Sequence, residues 1–265
     1  MDEREREEST AGEAGDGVDL ESVLEALDRG EIAVAEARER LAGVRRIGEG
    51  GTEFARVDAR QGERTGIPEV VEAERKTDGE LLGIARELLA STGRAILTGV
   101  PESARDDLEA AAADSEVYEH SGTLVLHAED YEPPERCGRV GVVTAGTSDI
   151  AVAEQAAALA DEMGCRVETI YDVGVSAIHR LFAERETLET CDCVVVAAGR
   201  EGALATVVAG LVSAPVIGLP VGTGTGYGGN GEAALLGMLQ SCTYLTVVNV
   251  DAGFVAGGQA ALVAR

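Results

Sequence analysis

The chain has 265 residues, 45% of them apolar but only 3% aromatic, and a formal charge of -26 at pH 7. That length fits one large domain or two small ones, with a core built from Ala, Val, Leu and Gly. A surface this negative repels polyanions and so excludes nucleic acid and anionic membranes as partners. Lys76 is the single lysine. Acidic excess with scarce lysine predicts a halophilic surface, stable where salt screens self-repulsion; a codon bias toward Arg and Ala would give the same composition.

Residues 1–17 are charged and predict a disordered acidic tail without the apolar stretch of a secretory signal. The longest apolar runs fall short of a bilayer span, so the expectation is a soluble, cytoplasmic protein. Val18–Arg46 has helical spacing broken at Arg29 and Gly30, which predicts two helices, and GEGG at 48–51 interrupts the chain. In residues 54–77, FARVDARQGERTGIPEVVEAERKT, the pattern is a short strand, a charged loop and an extended piece at Glu69–Ala73. A helix at Asp78–Ala90, a strand at 95–100, a helix at Glu102–Ala113 and a strand at 123–128 complete a small N-terminal α/β domain over 18–130. The acidic stretch with Pro133 and Pro134 predicts a linker at 131–137.

From residue 138 onward strands and helices alternate regularly: VGVVTAG, a helix from Asp149, RVETI, a helix from Val175, CVVVAAG, a helix from Glu201, PVIGLPVG, a helix from Glu232, LTVVNV and a closing helix from Gly253. Near-continuous apolar strands predict a parallel sheet covered on both faces, a three-layer flavodoxin-like or Rossmann-like α/β domain. Ligands of such sheets sit at the carboxyl ends of the strands.

The turns at those ends carry polar groups. In TAGTSD, residues 144–149, Gly146 permits close backbone approach, and Thr147, Ser148 and the helix amides can hold a phosphate. Asp149 alternatively serves only as a helix-start residue favoured by the dipole. The motif is not the dinucleotide fingerprint G-x-G-x-x-G. Glu201 is either a helix cap or a general base in a low-dielectric cleft. His179, with Arg180 beside it, is one of three histidines, and a lone histidine is more often structural. The glycine-rich segment 221–231, with Gly228, Gly229 and Asn230, predicts a lid or phosphate-cradling loop rather than a plain connection.

Five cysteines form no secreted-scaffold pattern and predict reduced thiols. Cys191 and Cys193 are too close for the usual zinc pair. Cys242 follows a helix, and a helix C-terminus disfavours a thiolate. It is a small core residue or a nucleophile.

Taken together, TAGTSDIAVAEQAAALADEMG, VSAIHR, GEAALLGMLQS and VDAGFVAGGQAALVA resemble the aminoimidazole ribonucleotide carboxylases and mutases of purine synthesis. Two features depart from that family: Gln240-Ser241-Cys242 stands where Gln-Met-Pro is expected, and a further domain precedes the core. Both departures, and the segment DARQGERTGIPEVVEAERKT, make the chain similar to a sister family, the LarB-type proteins of nickel-pincer cofactor biosynthesis. That resemblance covers all but the acidic tail.

The resemblance implies carboxylation of nicotinic acid adenine dinucleotide by carbon dioxide or bicarbonate at pyridinium carbon 5, with hydrolysis of the phosphoanhydride. It also implies Mg²⁺ and a homo-oligomer, octameric as in the purine enzymes. Ser148 and Asp149 would hold the ribose-phosphate portion, with the Gly228–Gly231 loop closing over it. Pyridinium and carbon dioxide are both electrophiles, so a nucleophile must first add to the ring, and a thiolate adds and leaves readily. Cys242 takes that role, with Glu201 the first candidate for the base and His179 the second. Arg60, Arg64 and Lys76 are candidates for the adenylate half; Asp58 and Glu69 are candidates for the metal. The alternatives are an aminoimidazole ribonucleotide carboxylase or mutase, and a nucleotide-binding regulator without catalysis.

Overall fold

A computed structural model describes residues 20–49 and 52–265; the expected tail at 1–17 lies outside the described residues. Helices α1 (Leu20–Asp28) and α2 (Val34–Leu41) enclose a small cluster of Val23, Ile32 and Ala37. The second helix stops before Arg46, contrary to expectation. Gly43 adopts φ 80, a left-handed stop, and Val44–Glu49 becomes strand β1, antiparallel to β2 (Thr52–Asp58). The expected charged loop contains a short helix, α3 (Gln61–Thr65).

Strand β3 (Val70–Glu72) leads to α4 (Asp78–Thr92). A capping box starts that helix: Glu80 N donates to Thr77 Oγ1 (3.3 Å) and Thr77 N donates to the Glu80 carboxylate (2.8 Å). Then follow β4 (Arg94–Thr98), α5 (Glu102–Glu109), β5 (Asp114–Tyr118) and β6 (Thr123–His127). These form a four-stranded sheet of order β3-β4-β6-β5, in which only β3 and β4 run parallel. The sequence pattern assigns no element to the polar β5; as an edge strand it needs no apolar run.

The carboxyl half contains β7 (Arg139–Thr144), α6 (Ile150–Glu162), β8 (Arg166–Ile170), α7 (Ile178–Ala183), α8 (Arg185–Glu189) and β9 (Cys193–Ala198). It continues with α9 (Ala203–Ala209), β10 (Val216–Pro220), α10 (Glu232–Leu239), β11 (Leu245–Val247) and α11 (Gly253–Ala264). Its five strands are all parallel, in the order β8-β7-β9-β10-β11. This is the flavodoxin-like order, with its crevice between β7 and β9, where the connections diverge. The α/β fold class expected from the sequence is the one observed.

The two sheets share a helical layer. Ile96 and Val125 of the four-stranded sheet belong to the same buried cluster as α6, α11 and one face of β7, β9 and β10. Small residues make the layer thin: a Cβ on Gly257 would sit 2.3 Å from the Ala156 carbonyl oxygen. The outer face of the four-stranded sheet packs on α4 and α5, and the far face of the parallel sheet on α7–α10. Strands β3, β4 and β5 run the same way along α6 as the parallel sheet, and β6 runs opposite. Gln155 Nε2 donates to Thr98 Oγ1 (3.3 Å) at the carboxyl end of β4, whereas Arg94 at its amino end bonds Glu162 Oε2 (3.1 Å). The stretch 128–138 lacks helix and strand, yet it is clamped: Cys137 N donates to Gly164 O (2.9 Å) and Arg136 pairs with Asp161.

Candidate active site at the carboxyl ends of the strands

The 144–149 turn builds its centre around a buried carboxylate. Asp149 is 3% exposed. Its Oδ2 accepts from Gly146 N (2.9 Å), and its Oδ1 accepts from Thr223 Oγ1 (3.2 Å) and, at 3.4 Å, from Ser148 Oγ. It makes no side-chain capping bond to α6, but its bond from Gly146 N closes the capping box of the short 147–149 turn that leads into that helix. Burial pushes its pKa up, against the pull of the Gly146 and Gly199 amides and the two hydroxyls. Asp149 thereby ties the ends of β7, β9 and β10 together at the switch point. Thr147 and Ser148 stay exposed at the mouth.

Glycine-rich sequence after β10 follows from packing. A Cβ on Gly224 would lie 2.7 Å from the Arg200 backbone nitrogen, so the loop can cross the β9 turn only without a side chain. Its root is also pinned from β11, where Asp251 Oδ1 accepts from Gly222 N (2.8 Å). Gly228, Gly229 and Asn230 lie further along this same loop. Glu201 is exposed at the start of α9 and caps nothing, the cap position being Gly202. His179 is exposed on α7; Arg180 beside it pairs with Asp172, and Arg180 Nε is buried without a hydrogen-bond partner.

A signal hidden from sequence reading marks this edge. Among the described residues, the non-glycine positions with left-handed backbone are Arg75, Asp172, Arg200, Asn230 and Asp251, at φ 45 to 66. Every one lies in a connection leaving the carboxyl end of a strand: β3, β8, β9, β10 and β11. Such conformations cost energy and gather where function holds them.

Other expected residues fall elsewhere. Arg60 pairs with Glu63 (2.7 Å), Arg64 with Asp58 (2.6 Å), and Glu69 accepts from Asp58 N. This cluster lies before β3, where Gly66 meets Leu262 and Arg265 at the end of α11, so it is at the amino end. Lys76 lies past β3, its Nζ donating to Glu72 O (2.6 Å). Of the three cations expected at the adenylate half, Arg60 and Arg64 thus lie before β3 and Lys76 after it.

Cys242 is exposed, unlike Cys165, Cys191 and Cys193. Burial raises the pKa of those interior thiols, to about 11 for Cys191 and Cys193. Cys242 is therefore not a passive core thiol. It sits in the connection from α10 into the amino end of β11, in a bend where Ser241 Oγ meets Thr206 Oγ1 (2.9 Å) and Thr243 Oγ1 (2.7 Å). Within one chain, that connection enters the opposite end of the strands from Ser148 and Asp149. Exposed apolar side chains Leu236, Leu239 and Tyr244 flank it.

Residues 139–265 match the family model for AIR carboxylase, and residues 50–129 match that for the LarB/PurE-like N-terminal domain. An uncharacterized protein of Methanocaldococcus jannaschii is 37% identical over 257 residues, which cover 94% of this chain and 98% of the relative. No helix among the described residues is long and apolar enough to cross a membrane.

Proposed function

The chain belongs to the family that joins a LarB/PurE-like N-terminal domain to an AIR carboxylase domain, and we propose that it carboxylates nicotinic acid adenine dinucleotide at pyridinium carbon 5 and hydrolyses the phosphoanhydride. The products are pyridinium-3,5-biscarboxylic acid mononucleotide and AMP. Membership itself supports a carboxylase-type enzyme with a nucleotide-type substrate. The finer reading rests above all on Cys242, an exposed thiol where a pyridinium substrate requires a nucleophile.

The chemistry proceeds from that thiol. The Cys242 thiolate adds to the ring, and the resulting dienamine attacks carbon dioxide through carbon 5. A base then takes the carbon 5 proton, and departure of the thiolate restores aromaticity. Glu201 is the proposed base, with His179 in reserve. The amides and hydroxyls of Thr147 and Ser148, with Asp149 and the close-lying Gly146 backbone, receive the ribose-phosphate portion under the Gly228–Asn230 loop. Arg180 answers its negative charge.

Cys242 and the Asp149 turn flank opposite strand ends in one chain. We therefore assign them to one site built by two copies, with the apolar edge around Leu236, Leu239 and Tyr244 as the contact. Magnesium enters the proposal with the substrate's phosphates. Asp58 and Glu69 do not fit it, since Arg64 and a backbone amide already engage them, and no metal-ligating cluster exists among the described residues.

The test is incubation with the dinucleotide, labelled bicarbonate and Mg²⁺, read by mass spectrometry. Wild type should form a covalent adduct and a carboxylated mononucleotide, and Cys242→Ala neither. Mixed oligomers of Cys242→Ala and Asp149→Asn chains should recover part of the activity that each lacks. Turnover of aminoimidazole ribonucleotide alone, or an equal adduct on Cys242→Ala, sinks the assignment.

A further inference from the structure

The proposed reaction has two halves, and the residues above bind the ribose-phosphate portion or act on the ring, leaving the hydrolysis without a base. Water must also attack a phosphoanhydride, which needs a proton acceptor. The three histidines differ in what they offer. His127 is tied up: its ring stacks on Tyr131 at 4.4 Å and its Nε2 meets Glu162 Oε1 at 3.0 Å. His179 is exposed on a helix, with no carboxylate among the described residues to orient it. His120 alone joins an orienting carboxylate to an open ring edge. Its Nδ1 lies 2.6 Å from Glu154 Oε1, and its side chain is 60% exposed against 10% for Glu154.

That pairing fixes the imidazole. Glu154 also accepts from Ser121 N (2.9 Å), so the carboxylate is held by the same β5–β6 turn that carries the ring. A carboxylate at Nδ1 keeps the proton there and leaves the Nε2 lone pair facing outward. It also stabilises the imidazolium formed when Nε2 takes a proton. A nearly buried carboxylate is costly unless bonded, and an exposed ring needs no such anchor merely to fold.

The dyad also lies at the functional end of the molecule. Glu154 stands five residues along α6 from Asp149, roughly 7.5 Å of helix rise, a distance that an extended dinucleotide exceeds. The turn 119–122 meets the carboxyl end of β4, where Val100 N donates to Gly122 O (3.0 Å) and Gly122 packs on Gly99. Tyr171, which precedes the Asp172 partner of Arg180, has its pKa raised by burial and, second, by the charge of Glu154. The N-terminal sheet thus presents an oriented imidazole beside the strand ends that hold the phosphate turn.

We propose that His120, positioned by Glu154, accepts the proton from the water that cleaves the phosphoanhydride. The water oxygen bonds to phosphorus as its proton passes to Nε2. The phosphorus–oxygen bond of the anhydride breaks, and the leaving phosphate carries away the electron pair. The imidazolium then returns its proton to solvent or product, so two phosphate monoesters form from one anhydride and one water. This role rests on the dinucleotide reading above.

The test compares two products in one reaction: label fixed on the ring and AMP released. In His120→Gln the ratio of AMP released to label fixed should fall about 100-fold or more, with carboxylated, uncleaved dinucleotide accumulating. Glu154→Gln should lower the same ratio about tenfold through kcat, with KM little changed. An unchanged ratio in His120→Gln overturns the proposal, as does a parallel fall of both products. If wild type neither fixes label nor releases AMP from the dinucleotide, the dinucleotide reading itself is lost, and this role with it.

Discussion

The two ends of the strands are built by opposite rules. At the amino end polar groups close on one another. Arg94 Nη1 donates to Tyr131 OH (2.8 Å) and to Glu162 Oε2 (3.1 Å), and His127 and Tyr131 bond the same carboxylate. Each of these groups has a partner, although His127, Tyr131 and Glu162 also line a cavity of about 480 Å³, and burial pushes Tyr131 up to about 12. At the carboxyl end the backbone is strained, glycine replaces side chains, and a buried Arg180 Nε stays unpartnered. Satisfaction marks the end that holds the fold together; cost left unpaid marks the end that meets a ligand.

The sharpest way to break this contrast is Glu162→Ala. It leaves Arg94, His127 and Tyr131 without their common partner, so stability should fall by about 3–5 kcal/mol. The check is denaturant unfolding, with specific activity of the folded fraction unchanged. Asp149→Asn should do the converse. Removing a charged acceptor shared by ligand and loop costs about 3 kcal/mol of transition-state binding, roughly 100-fold in kcat/KM. Its folding should not suffer at pH 7. Burial raises the Asp149 pKa, so the folded chain holds this proton more tightly than the unfolded one. The group's contribution is best below the unfolded value and is lost as pH rises through the folded one.

The smallest effect sharpens the same point at the amino end. Burial raises the pKa of Glu69, followed by the opposing Asp58 amide and the Asp58 charge. By the same sign, Glu69→Gln should raise Tm slightly at pH 7, and the gain should vanish near pH 4, since the amide oxygen still accepts from Asp58. Equal shifts at both pH values would mean that packing, not charge, sets the cost at this position.

Much of the carboxyl half was legible because buried parallel strands advertise themselves. VGVV and CVVVAA are apolar throughout, and helix α10 begins and ends where its sequence pattern does. Asp114–Tyr118 escaped because an edge strand carries no such mark. Val44–Arg46 escaped because the glycine that ends α2 outweighs the helical spacing. At the carboxyl ends, the 144–149 turn and the glycine-rich loop were visible as local motifs. The Asp149–Thr223 bond, across 74 positions, and the His120–Glu154 pair, across 34, were not. Such contacts are made by stacking elements, and neither partner looks unusual in its own segment. Arg60 and Arg64 precede the extended piece expected at Glu69–Ala73 and Lys76 follows it, so strand β3 sets them apart.

Alanine and glycine line the α6–α11 layer that both sheets share: Ala153, Ala156, Ala157, Ala160, Ala256, Ala260, Ala261 and Gly257. Short side chains leave little slack for sliding or swelling. The separation between the 119–122 turn and the 144–149 turn is therefore a fixed gauge, like the jaws of a caliper locked in place. A molecule that touches both is selected by its span before any single contact is scored.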